Sequence, residues 1–511
     1  MAETERAHFV CLTCSSRKKA CDKALPACGP CVKRGLTCKY DDSGKKDKAP
    51  RAYNPGKHFV ASDTWDTWSS PSSQGSAVHS GWTGSPGTVS SSASISQSIH
   101  DSLNQQVQDV MNFTSLTADD ISQRYFQSFH RLYPIISPEL FQRVASKYAQ
   151  GGNVAPSTDY SILILAMFLA ITLPGHHRHS AFSLTGQEQL YVRIKSLLAQ
   201  VQTAISPSLA FVQVMFIVTI WEYTRARPEA AYSSINTCAS LARILGVGNE
   251  LLERPGHQYG NVKIDLVEIE RRNVAWAIAL LERIILVEMN NKNIRPLTQY
   301  PDLDTQLPLD LLPSDSSLSP SVDYQTSMSA TLSYFETGNV SWFGRQAQAI
   351  FLLDRVLDVV RFLTKNKNIQ AILGEATELE IRIRTFLVVL LEESRRENTT
   401  LCSAVAFSIR ALFLLHWTII DSLPMSQEVD SYQIRNLSWT ALNSACNMTI
   451  DAIMHASQDP SAAVPICSFY ILQDSIRYLS DQKKVIGDEA TVSDLTMLSH
   501  ADKEYRSTYV F

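Results

Sequence analysis

Several things are scarce in this chain of 511 residues, and each scarcity excludes something. No uninterrupted apolar stretch reaches the roughly 18–20 residues that a membrane helix needs. Ile162 to Leu173 and Leu209 to Trp221 run 12 and 13 residues, and the stretch from Ala404 to Ile420 is broken by Arg410 and His416. All three read as buried core helices, and no membrane partner is expected. Residues 1–10 carry Glu3, Glu5, Arg6 and His8 with no apolar signal core, so nothing there directs secretion. No Gly-rich phosphate loop, nucleophile elbow or His-Glu zinc motif occurs, which leaves no catalytic constellation and argues against an enzyme. Convincing alternating strands are missing. Lys and Arg are absent between Lys57 and Arg124, and serine fills 14 of the 40 positions from 61 to 100. That composition cannot bury enough apolar area to order itself and reads as a disordered linker.

What is present is unevenly distributed. The net charge of −4 hides a basic start on an acidic remainder. Residues 1–60 hold 13 Lys and Arg against 6 Asp and Glu, while the other 451 residues hold 33 against 44. A polyanion partner is therefore expected for the start only. Six of the ten cysteines lie in the first 38 residues, at Cys11, Cys14, Cys21, Cys28, Cys31 and Cys38. Their spacing is C-x2-C-x6-C repeated twice across a six-residue loop. Each half offers three thiolates to one site. Two tetrahedral zinc ions have eight coordination positions, so six thiolates suffice only if two of them are shared. Disulfides would need an oxidising compartment, and single-zinc or redox-thiol sites are lesser alternatives. So short a segment cannot fold on its apolar area, and metal supplies the folding energy.

Around these cysteines stand Arg17, Lys18, Lys19, Lys23, Lys33 and Arg34. A short helix is expected after the second cysteine of each half. The first would carry Arg17, Lys18 and Lys19 and suit entry into a DNA groove. The second would carry Lys33 and Arg34 and touch phosphate, with Lys23 a further contact. The bland reading of any one of them is a solvated surface charge.

The six cysteines, Arg17-Lys18-Lys19, the Cys21-Asp22 pair, Pro26 and Tyr40 together resemble the fungal Zn2Cys6 binuclear cluster transcription factors. The resemblance implies two zinc ions bridged by Cys11 and Cys28. It also implies that Lys18 reads the guanines of a CGG-like triplet from the major groove. Ser15 and Ala20 depart from the family, which usually has basic residues there. In many relatives a coiled coil follows the cluster. No heptad repeat is visible between Asp41 and Ala61, so a homodimer is left without that route. The basic stretch from Lys45 to Lys57 reads equally as a phosphate tracker, an import signal or a plain linker. Ser62 to Trp68 interleaves Asp63 and Asp66 with Trp65 and Trp68, a weak match to an activation motif.

From about Phe113 the apolar residues recur at helical spacing, as in Ile121, Tyr125, Phe126 and Phe129, then Val274, Ile278, Leu281 and Ile285. Gly151-Gly152, Pro174-Gly175, Pro255-Gly256 and Pro308 to Pro320 punctuate them. This predicts a large all-α body. Tyr125 to Ile136, Pro207-Ser208-Leu209 with Val212-Gln213, and Glu270 to Ile278 followed by Glu282-Arg283 and Arg295-Pro296 resemble the fungal-specific regulatory, or middle homology, domain. That likeness spans about residues 115–310; the last 200 residues read only as helical.

Four smaller features carry bland readings. Glu268, Glu270, Arg271 and Arg272 are expected to form ion pairs between helices. His176-His177-Arg178-His179 reads as a polar loop rather than a metal site. Cys238, Cys402, Cys446 and Cys467 read as buried free thiols. Asp488 to Glu504 reads as an amphipathic last helix, with an acidic activation segment as the alternative.

The expected organisation is a tail at 1–10, a binuclear zinc DNA-binding head at 11–38 and a basic then Ser-rich disordered linker at 39–112. An all-α regulatory domain follows at 113–511. The expected function is a nuclear, zinc-dependent, sequence-specific transcription factor, and the resemblance implies a pathway-specific regulator or activator of a secondary-metabolite gene cluster. Its partners would be double-stranded DNA with CGG-like half-sites and a small-molecule effector or co-regulator on the body. A protein-interaction scaffold, or an enzyme with a fused zinc head, is the rival reading.

Overall fold

The computed structural model describes residues 10–17, 19–40, 91–150, 156–172, 184–204, 206–248, 265–311, 330–338, 340–366, 370–397, 402–423, 429–458, 468–485 and 489–509. The chain divides into two compact units, Met1–Ser85 and Pro86–Phe511.

The first unit holds two short helices, α1 (Leu12–Ser16) and α2 (Gly29–Val32), each opening one half of the cysteine repeat. They correct the sequence expectation: each helix contains the second cysteine of its half rather than following it. Arg17 therefore lies beyond the end of α1, and Lys33 is the C-cap of α2. Pro30 sits in the first turn of α2, where its missing N–H costs nothing. The Leu25–Pro26 bond in the intervening loop is cis.

Helices make up most of the described residues of the second unit. Its helices are α3 (Ser91–Thr114), α4 (Ala118–Gln127), α5 (Pro138–Gln150), α6 (Thr158–Ile171), α7 (Leu184–Ala204), α8 (Leu209–Thr224) and α9 (Pro228–Ile244). There follow α10 (Leu266–Glu288), α11 (Trp342–Asn366), α12 (Leu373–Glu397), α13 (Cys402–Ser422), α14 (Val429–Gln458), α15 (Ser468–Val485) and α16 (Glu489–Tyr509). A 3-10 turn, Phe129–Arg131, follows α4. No strand forms among the described residues; Gln306 and Thr331 meet in an isolated antiparallel bridge.

Three helices are buried on every side. Every residue from Ser161 to Ile171 in α6, from Phe211 to Thr224 in α8 and from Asn273 to Val287 in α10 is buried. Their N-termini are closed by the side chains of Ser157, Ser208 and Asp265, each accepting from an N–H of the first turn. Thr117 and Asp120 form a reciprocal capping box on α4. α8 packs between α6 and α9, and α10 packs on α9 and α11. α13 is the hub of the C-terminal half, contacting α11, α12, α14 and α15.

The last 200 residues, read only as helical from sequence, share one apolar core with the rest. A single cluster runs from Ile99 to Leu498. Buried charge also joins the two parts. Arg410 of α13 takes Glu288 at the end of α10 at 2.9 Å and also pairs with Asp474 of α15. Arg283 of α10, almost fully buried, pairs with its neighbour Glu282 at 3.0 Å and with Asp354 of α11 at 3.2 Å. Length and composition alone would let the segment Ser403–Ser422 of α13 cross a bilayer, but 72% of it is buried in this body, and Arg410 lies in its middle.

The structure revises the expected linker boundary. α3 begins at Ser91, inside the stretch 39–112 read as disordered, and Ile99, Leu103 and Val107 of α3 belong to the core. Their spacing of four places them on one helical face, a pattern masked in sequence by the surrounding serines.

Within 268–272, where ion pairs are expected, Glu270 takes neutral donors instead. Glu270 accepts from the Ser137 N–H at 3.2 Å and the Gln213 amide at 2.8 Å, while Arg271 donates to the Leu245 carbonyl and Arg272 to Gln306. Asn273, one residue further on, holds the Pro134 carbonyl and both backbone groups of Leu309. α10 thus clamps two non-helical straps, 134–137 and 307–311. Burial pushes the Glu270 carboxyl up to about 7, its two donors opposing this only in part.

Cys238 and Cys446 are buried free thiols, while the Cys402 side chain and Cys467 lie outside the described residues. So do the histidine run 176–179 and the acidic-aromatic stretch 62–68. The tail forms the helix α16, with Leu498 and Tyr505 buried.

Candidate zinc cluster and nucleic-acid interface

The interior of the first unit is sulfur. Cys11, Cys14, Cys28 and Cys31 are buried, with Cys21, Cys38, Leu36 and Tyr40 half-buried against them. The tight turn of α1 brings Cys14 back over Cys11, whose sulfur accepts the Cys14 N–H at 3.3 Å. Cys28 donates its N–H to the Cys38 sulfur at 3.3 Å, so both ends of the second half meet. Sulfur–sulfur separations are 3.6 Å for Cys11–Cys28 and Cys14–Cys28, 3.7 Å for Cys11–Cys31 and 3.8 Å for Cys14–Cys31. A disulfide would need about 2.05 Å. A zinc tetrahedron with Zn–S of about 2.3 Å has edges of about 3.8 Å, so the spacing fits metal and not cystine.

The grouping is more specific than the spacing. Cys11, Cys14, Cys21 and Cys28 form one set of four sulfurs within 4.8 Å of one another, and Cys11, Cys28, Cys31 and Cys38 form a second. The two sets share Cys11 and Cys28. Six potential anions this close cannot all ionise unaided. Burial and the neighbouring thiols push Cys28 well up, and burial raises Cys14 to about 12. For Cys11 burial acts upward too, but the Cys14 N–H and the surrounding thiols outweigh it and lower it to about 6. Divalent cations would relieve this frustration by coordinating all six as thiolates.

Outside the sulfur interior, Arg17, Lys19, Lys33 and Arg34 line one cleft of about 520 Å³, together with Asp22 and Gly29. The structure thus brings four of the expected DNA-contacting cations from both halves to one surface. Lys23 is not among the lining residues; it sits in the inter-half loop with φ of 61°. Lys18 lies outside the described residues. The halves are also joined by contacts that involve no sulfur. Leu12 donates its N–H to the Lys39 carbonyl at 2.9 Å, and the Thr13 hydroxyl donates to the Thr37 carbonyl at 2.6 Å. Asp22 accepts the Gly29 N–H, and the Tyr40 hydroxyl donates to the Ala24 carbonyl at 2.8 Å. Sequence reasoning noticed Asp22 and Tyr40 as part of a pattern but assigned them no contact. The only local signal was a glycine directly after Cys28.

The first unit is thus built as a sulfur-centred zinc-cluster head with a cation-lined cleft, and the second as an all-α body. The comparisons with known proteins agree. Residues 9–47 match the family described as "Fungal Zn(2)-Cys(6) binuclear cluster domain", and residues 122–374 match "Fungal specific transcription factor domain". The chain belongs to the fungal Zn2Cys6 transcription factors, families of transcription factor domains and not of enzymes, and its cluster binds two zinc ions. Among curated proteins it is similar to the Oleate-activated transcription factor 1 of Saccharomyces cerevisiae, 48% identical over 54 residues, which is 11% of this chain and 5% of that protein. It is also similar to the Aflatoxin biosynthesis regulatory protein of Aspergillus flavus and of Aspergillus parasiticus, 40% identical over 57 residues, 11% of this chain and 13% of each relative. The match therefore spans only a small part of the length of these relatives.

Proposed function

We propose that the protein is a sequence-specific regulator of RNA polymerase II genes that works in the nucleus. In this reading Cys11 and Cys28 bridge the two zinc ions, Cys14 and Cys21 complete one site, and Cys31 and Cys38 the other. When bound, the ions hold the two halves folded and neutralise the thiolates. Lys18, with Arg17 and Lys19, reads a CGG-like triplet in the major groove. Lys33 and Arg34 contact phosphate, and Lys23 does so from the loop. The observation that carries this is the cleft where Arg17 and Lys19 from one half meet Lys33 and Arg34 from the other. Cations on one surface match a duplex whose charge lies along both strands.

The body is the regulatory part and takes an effector or co-regulator. The 40% identity to the Aflatoxin biosynthesis regulatory protein supports a finer reading, a pathway-specific activator of a secondary-metabolite gene cluster. The test is selection from a random duplex library with the full chain and zinc, run beside Lys18→Ala. Enrichment of a CGG-like triplet that the variant loses is the expected result. One copy or two at fixed spacing reports monomer or homodimer. No enrichment by the unaltered chain sinks the reading.

A further inference from the structure

The sulfur ligands account for the interior of the head but leave its hinge unexplained. The two sets of sulfurs have only Cys11 and Cys28 in common, and two shared points leave rotation about the line that joins them. Among the described residues, contacts without sulfur that join the halves include Leu12 to Lys39, Thr13 to Thr37, Asp22 to Gly29 and Tyr40 to Ala24. Of these, only Asp22 and Gly29 both line the cationic cleft.

The Asp22 contact is tightly built. Its two carboxylate oxygens accept the Gly29 N–H at 3.1 and 3.0 Å, and one of them also takes the Ala24 N–H at 3.3 Å. Gly29 is the first residue of α2, where an N–H has no partner within the helix. A carboxylate is the strongest side-chain acceptor for such a donor. The glycine is required by proximity: a Cβ at position 29 would stand 2.5 Å from the Asp22 carboxylate oxygen. Asp22 directly follows the last sulfur of the first half and Gly29 directly follows the first sulfur of the second. The contact therefore closes the six-residue loop upon itself.

We propose that Asp22 is a positioning residue for DNA recognition. It latches the first turn of α2 to the end of the first half-motif, and so sets the separation of the cation pairs Arg17 with Lys19 and Lys33 with Arg34 across the cleft. The inference rests on the DNA-reading role proposed above and names a residue that touches neither metal nor base. An acid on the wall of a cleft that receives phosphate would by itself repel the ligand. Here both its oxygens are engaged by backbone N–H groups, which gives the acid a reason to be there.

The experiment uses the full zinc-loaded chain with Asp22→Ala, Asp22→Asn, Gly29→Ala and the double variant. Three quantities are read: zinc per chain, hydrogen exchange at the Gly29 amide, and affinity for the selected duplex against a scrambled one. Asp22→Ala is expected to keep two zinc ions and to speed Gly29 exchange. It should weaken the selected duplex by about tenfold or more, the scale of a lost charge-assisted hydrogen bond, and the scrambled one by less than about twofold. Asn retains one acceptor oxygen and restores most of the loss. Gly29→Ala, by displacing the carboxylate, reproduces the Asp22→Ala defect, yet adds under about twofold when Asp22 is already Ala.

Unchanged Gly29 exchange in Asp22→Ala overturns the latch. Equal weakening on both duplexes, or fully additive losses in the double variant, overturns the positioning role. An unaltered chain that prefers no duplex overturns the DNA reading itself, and the exchange and zinc measurements then still decide whether the latch exists.

Discussion

The head and the body of this protein solve the same problem, paying for chain order, by opposite means. The head buries four cysteines and little else. Its apolar area cannot offset the entropy of ordering even thirty residues, and coordination supplies the difference. The body buries a continuous apolar cluster from Ile99 to Leu498, with three helices enclosed on all sides. The same residue type accordingly behaves in two ways. In the head, crowded cysteines are grouped in two sets of four that fit zinc. In the body, burial pushes the Cys446 thiol up to about 12, which favours its protonated form. The comparison teaches that burial of cysteine alone says nothing of function; the number of sulfurs within reach of one another does.

The sharpest way to break the comparison is to remove zinc. Chelation is expected to abolish duplex binding completely while the helical circular dichroism and melting temperature of the body stay within a few degrees. Persistence of DNA binding, or collapse of the helical signal, would show that the two regions do not have separate sources of stability. Next in size is Cys28→Ser, which removes a shared sulfur and should release both ions. Cys38→Ser removes a sulfur found in one set only and should spare one. Metal analysis that finds two zinc ions retained in Cys28→Ser would end the bridging assignment.

On the body side, Phe413→Ala empties a fully buried site in α13 and should cost about 3–5 kcal/mol. Zinc content would not change; denaturant unfolding and metal analysis on the same sample check both halves of that statement.

The smallest effect concerns Glu270. Its folded-state value of about 7 lies above the ordinary 4.5, so the folded body prefers the proton. Stability is then fullest at low pH and is lost as pH rises from about 4.5 through about 7. Glu270→Gln should be silent near pH 5 and stabilise by roughly 1–3 kcal/mol near pH 8. Melting curves at the two pH values decide it, and a gain at pH 5 equal to that at pH 8 would rule out the titration.

Much of this was legible in the chain. Cysteine spacing is a local constraint, because two sulfurs three residues apart in a tight turn meet whatever the rest does. Helical periodicity is local too, and Ile121, Tyr125 and Phe129 are buried as their spacing predicts, whereas Val274, Ile278, Leu281 and Ile285 lie in a stretch buried on every side. The errors arose where a residue's role depends on something distant. Arg17 and Lys33 were placed within helices because nothing nearby shows how short α1 and α2 are. Ile99, Leu103 and Val107 were lost among serines because only the surfaces of α6 and α7 make that face worth burying. Glu270 was expected in an ion pair between helices, although its partners, Ser137 and Gln213, are neutral donors from elsewhere in the chain.

By itself, then, the sequence determined the sulfur ligands, the basic head on an acidic remainder and the all-α body. Each follows from residue type and short-range spacing. The family resemblance, not the spacing, pointed to Cys11 and Cys28 as the shared sulfurs; only the tertiary structure decided that Asp22 reaches Gly29 and that the last helices share one core with the rest. Those facts depend on distances between segments far apart in the chain, and such distances are set by how all the buried surfaces fit at once.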